Sequence, residues 1–105
     1  MRVESKSARY PGYVIIPDEL TFPQAIAWED AVDQAAAATK SFARSRAYVP
    51  AVMACVTEWH VEGLPQPVTF DNFPASPAGA IQKLLQPIVS AVTGLLFGED
   101  EAKNA

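Results

Sequence analysis

A chain of 105 residues has room for one hydrophobic core, and dividing it would leave neither half enough interior to bury. Half of it counts as hydrophobic, but eighteen residues are alanine, and the charged fraction of 19% is low for a water-soluble domain. With 9 prolines, 5 glycines and 1 cysteine, the composition excludes a multidomain enzyme, a disulfide scaffold, a collagen-like fibre and a wholly disordered chain.

Eight Lys and Arg against twelve Asp and Glu give a formal charge of -4. An acidic chain repels phosphate, which argues against nucleic-acid binding through a general electrostatic footprint. The charge is segregated: Asp18, Glu19, Glu29, Asp30 and Asp33 have no base among them, and Lys40, Arg44 and Arg46 follow. Such a run reads as a solvated helix face beside a charged connection, or as a partner surface. Cys55 has no second cysteine to pair with, which fits a reducing compartment.

Residues 1–9 are polar, lack the apolar core of a signal peptide, and are expected to form a flexible arm. Tyr10 to Ile16 is rich in β-branched and aromatic residues and is closed by Pro17, as a short strand or extended segment would be. A strand needs a partner, and a second subunit could supply one.

The spacing predicts a first helix from Thr21, its N-cap, through Pro23 in the first turn to about Lys40. Its apolar face is thin: Phe22, Ile26, Trp28, Val32 and alanines. A second helix is expected from Ser45 to Val61, with Val49, Val52, Met53, Val56, Trp59 and His60 as a buried stripe and Gly63 as its C-terminal cap. Residues 63–77 carry four prolines and an Asp71-Asn72 turn, yet Leu64, Val68, Phe70 and Phe73 are apolar enough to dock, so an ordered loop is expected.

The third helix begins at Ser76 with Pro77 at its first position. Ile81, Leu85, Ile88, Val92 and Leu95 follow at spacings of three and four, widened by Leu84, Val89 and Leu96, and Pro87 should kink it. Its uncharged run, Leu84 to Gly98, is shorter than the roughly 20 residues of a membrane span, so no membrane partner is expected. The fold class read from this pattern is mainly α: a small three-helix domain with a short N-terminal extended segment or strand and an ordered Pro-rich loop between helices two and three. Residues 10–98 form the helical domain, and 99–105 a flexible acidic tail.

The residues offer little chemistry. On a helix, Cys55 and His60 would lie roughly 140° apart and would not converge. One Cys and one His fall short of the four ligands of a structural zinc site. The glycines are isolated, with no phosphate-binding loop. No enzyme activity, cofactor or metal is expected. Trp28, Trp59, Phe70 and Phe73 are large for so small a domain; they fill the core or line a groove that receives a helix. The stripe of the third helix, more apolar than two other helices, one of them mostly alanine-faced, can cover, reads as held for a partner.

Three stretches in this order resemble the tail assembly chaperones of long-tailed bacteriophages. They are P-D-E-L-T-F-P-Q-A-I-A-W-E-D-A at 17–31, E-W-H-V-E-G-L-P at 58–65, and T-F-D-N-F-P-A-S-P at 69–77, which leads into the apolar final helix. The resemblance implies a small helical protein of the host cytoplasm, absent from the mature virion. It would coat the tape measure protein, keep it soluble and help recruit tail tube protein. No catalytic residue carries over. The partner-binding residues expected on this reading are Trp28, Trp59, Phe70, Phe73, Leu84, Ile88, Val92 and Leu95, with a homo-oligomer compatible with it. The alternative is a virion component such as a head–tail connector or tail completion protein, with Tyr10–Ile16 pairing across subunits in a ring. A small enzyme or metal-binding module around His60 is a third.

Overall fold

The structure, a computed structural model, describes residues 1–69, 71–73 and 77–104, with side chains to Leu96. The elements in chain order are β1 (Arg2–Glu4), β2 (Gly12–Ile15), α1 (Phe22–Ala37), α2 (Ser41–Ala47), α3 (Val49–Cys55), β3 (Glu58–Val61) and α4 (Ala78–Asn104). About half the chain is helical, and the helices share their core with a three-stranded antiparallel sheet of order β1-β2-β3.

The expected extended segment, Tyr10 to Ile16, holds the central strand. Val14 of β2 lies opposite Val3 on one side and Trp59 on the other. Both edges of β2 are therefore paired within the chain, so it has no edge left for a neighbouring subunit. Alternation along the strands puts Val3, Val14 and Val61 into the core, and Arg2, Glu4, Tyr13, Glu58 and His60 on the outer face.

The arm expected at residues 1–9 is thus an ordered part of the domain. Val3 pays for the ordering by entering the core, and the polar residues after it bond to backbone. Ser5 Oγ donates to the Tyr10 carbonyl at 2.7 Å, and the Tyr10 N–H donates to Ser7 Oγ at 3.3 Å. Ser7 is buried. Serines that latch a turn in this way look in sequence like the serines of a loose tail.

α1 starts as predicted. The Gln24 N–H donates to Thr21 Oγ1 at 3.4 Å, and the Thr21 N–H donates to Gln24 Oε1 at 2.9 Å, closing a capping box. The helix ends at Ala37, short of Lys40. It buries Trp28, Ala31 and Ala35, one arc of its surface, and leaves Phe22 and Ile26 on the other arc in solvent. The alanines let α1 come close to α2 and α3, against which it packs.

The single helix expected over 45–61 is three elements. α2 begins earlier, at Ser41, and Tyr48 joins it to α3, which has Pro50 in its first turn. α3 stops at Cys55, and Val56 and Thr57 lead into β3. The edge of β2 draws this segment out of helix, and Val56, Thr57, Trp59 and Val61 suit a strand. Gly63, expected as a helix cap, makes the turn after β3 at φ 88°; a Cβ there would lie 3.2 Å from the Tyr10 ring. In the connection that follows, Leu64 and Phe73 are buried. The Thr69 N–H donates to Asn72 Oδ1 at 2.8 Å, and Asn72 Nδ2 donates to the Pro67 carbonyl at 2.7 Å. The loop is ordered there, as expected.

α4 begins one residue after Pro77 and is continuous through Pro87. It takes in residues 99–104, which the sequence left as a tail. Ile81, Leu84, Leu85, Ile88 and Val92 form its buried stripe, against α2, α3 and β1.

Candidate partner surface

Five of the eight predicted contact residues are inside the protein. Trp28, Phe73, Leu84, Ile88 and Val92 are fully buried and belong to one continuous cluster with Ile16, Val14 and Val52. A partner could reach them only if the core opened. The sequence left the third helix uncovered because it counted two covering helices; the sheet, through β1, is the missing cover. Trp59 is half-buried, its ring 5.2 Å from that of Phe73, and Leu95 is partly buried at the edge of the core. Phe70 lies outside the described residues.

Trp28 has an oddity of its own. Its Nε1 is buried with no hydrogen-bond acceptor among the described residues, and its ring lies 5.3 Å from that of Tyr48. An unpaired indole N–H of this kind costs about 1–3 kcal/mol, offset here by burial of the whole ring.

Cys55 and His60, weighed as a pair on one helix, are on different elements, the end of α3 and the outer face of β3. Cys55 is buried, and that burial pushes its thiol above its ordinary value, away from the reactive thiolate. His60 Nε2 lies 3.1 Å from Glu58 Oε1, and its ring stacks on Tyr13 at 4.8 Å. Arg2 covers the Tyr13 ring at 3.8 Å from its centroid. Three strands thus contribute one side chain each to a stack on the outer face of the sheet, where His60 acts as a rung. Among the described residues no group of three or more His, Cys, Asp or Glu is placed to hold a metal ion. Among them, too, no helix is long and apolar enough to cross a membrane.

The apolar side chains left in solvent are elsewhere. Phe22 is 85% exposed and Ile26 53%, one helical turn apart on α1, and Phe42 of α2 is 54% exposed. Beyond Ile26 the same arc continues with Glu29 and Asp33, and Asp30 flanks it, all exposed. Phe42 borders a groove of about 200 Å³ between α2 and the start of α4, floored by Val49, Ile81 and Leu85 and rimmed by Arg46. The sequence placed Phe22 and Ile26 with Trp28 on one thin apolar face of α1. Their angular distance from Trp28 on a helical wheel was the signal that they could not share its arc.

Comparison of the chain with protein-family models, with curated proteins and with solved structures finds no match.

Proposed function

We propose that the chain is a tail assembly chaperone of long-tailed bacteriophages. On this reading it keeps the tape measure protein soluble in the host cytoplasm, helps tail tube protein gather around it, and is left out of the mature virion. The observation that carries the reading is where the three resembling stretches lie. Residues 17–31 contain the Thr21–Gln24 capping box, 58–65 contain β3 and the Gly63 turn against Tyr10, and 69–77 contain the Thr69–Asn72 turn with its Phe73 anchor. The resemblance thus falls on residues that this fold depends on.

Trp59 and Leu95, the two predicted contact residues that keep part of their surface in water among the described residues, are the side chains offered to the client. Ile88 and Val92 are unsuitable for testing this, because charge there would break the core. The experiment is co-expression with the tape measure protein. The client stays in the soluble fraction with the wild type and is lost from it with Leu95→Asp, while circular dichroism of the variant is unchanged. Failure of the wild type to hold the client soluble would sink the proposal. So would finding the chain at stoichiometric copy number in purified particles, which belongs to a virion component.

A further inference from the structure

Two surface patches combine exposed apolar side chains with charges of opposite sign. The first is the ridge on α1. It carries Phe22 and Ile26 on the arc of α1 turned away from Trp28 and the core. The second is the α2–α4 groove, which includes Val49 at the N-terminal end of α3. The ridge is apolar side chains followed on the same arc by Glu29. The groove has an apolar floor and, one turn after Phe42, Arg46 at its rim.

The charges around both patches are unspent. Among the described residues Glu29, Asp30 and Asp33 make no ion pair, and neither do Lys40, Arg44 and Arg46. Arg44 uses its Nε on the Ala38 carbonyl at 3.0 Å. We infer that copies of this chain associate head to tail, the Phe22–Ile26 ridge of one seating in the α2–α4 groove of the next, with Glu29 against Arg46. Because ridge and groove are different surfaces, each contact leaves one of each free, and the assembly grows as an open array instead of closing as a pair. An interface built on two apolar side chains is small, so association is weak and depends on concentration. The contact stands apart from the chaperone reading, although an open array is a form suited to an elongated client.

Sedimentation velocity with light scattering on the purified full chain, over a concentration series, tests this. The average mass of the wild type climbs past that of a dimer as concentration rises. Glu29→Arg and Arg46→Glu, both at exposed positions, each weaken association about tenfold, since each sets like charges against each other. Mixing the two variants restores association, because the arginine of one ridge then meets the glutamate of the other groove, and the native pair forms at alternate contacts. A wild type that stays monomeric overturns the inference, as does a mass that levels off at a dimer. Single variants that associate like the wild type, or a mixture that does not recover, overturn it equally. None of these results depends on whether the tape measure protein is kept soluble.

Discussion

The imidazole of His60 on β3 stacks on the phenol ring of Tyr13 on β2, centroids 4.8 Å apart and planes 25° apart. The residues are direct partners in the strand register, and Arg2 covers the same phenol from β1. Cross-strand contacts of this type contribute about 0.2–1 kcal/mol each. The Glu58–His60 pair beside them is exposed and adds little. His60→Ala should therefore lower stability by about 0.5–1 kcal/mol in urea denaturation. Added zinc should leave the midpoints of wild type and variant alike unmoved; a zinc-dependent rise in the wild type alone would revive a metal role for His60.

Trp28 separates packing from hydrogen bonding. Trp28→Ala empties a fully buried position and should cost about 3–5 kcal/mol, a large share of the stability of so small a domain. Trp28→Phe removes an N–H that has no acceptor among the described residues, so only the lost ring volume counts against it. The phenylalanine variant should retain a cooperative unfolding transition, with a loss of less than half that of the alanine variant.

Glycine substitutions should divide by backbone conformation. Gly12 has φ 132°, and a Cβ there would collide with the His60 carbonyl oxygen, inside the β2–β3 ladder. Gly12→Ala should destabilise by about 2 kcal/mol or more and disturb the amide signals of β3. Gly94 lies within α4 with nothing within 4 Å of an added Cβ. Gly94→Ala should raise stability by about 0.5–1 kcal/mol through helix propensity and a less flexible unfolded chain.

Cys55 gives the chain a pH dependence on the alkaline side. Burial raises its thiol in the folded state, so the folded protein holds the proton at pH values where the unfolded chain releases it. The thiol's contribution is complete below the unfolded value of about 8.5 and is lost as pH rises through the folded value. The stability difference between wild type and Cys55→Ala should therefore shrink from pH 7.5 towards pH 10. The same burial predicts slow reaction with thiol reagents in the folded state, and rapid reaction once urea unfolds it.

Much of the framework was legible in the sequence because it rests on local rules. Thr21 and Gln24 announce the start of α1, Pro77 that of α4, and the apolar spacing from Ile81 to Val92 gives the buried stripe. What escaped was long-range. Residues 58–61 alternate polar and apolar in Glu-Trp-His-Val, but the spacing from Val49 to Trp59 also fits a helix, and only the edge of β2 decides between them. The first strand escaped for a related reason. Val3 is a single apolar residue among polar ones, and its value comes from Val14, eleven positions away. The candidate surface was misjudged because the large apolar residues were assigned to it. Trp28 and Phe73, read as core or as groove lining, are core together with Ile88 and Val92, and Phe22 and Ile26, placed on the same apolar face as Trp28, are in water.

The carbonyl of Ile15 accepts from both the N–H of Thr57, at 2.9 Å, and its hydroxyl, at 3.1 Å. This clasp joins the two ends of the segment that holds α1, α2 and α3. Closing so long a loop carries an entropic cost that no single hydrogen bond recovers, so β3 docks only when the helices between have already drawn its ends together. The sheet and the helical unit consequently have no separate existence: the β1–β2 hairpin waits for its third strand, and the helices wait for the sheet that covers them. Hydrogen exchange should find the amides of Trp59 and Val52 opening together, with a shared free energy, in a chain that unfolds as one cooperative unit.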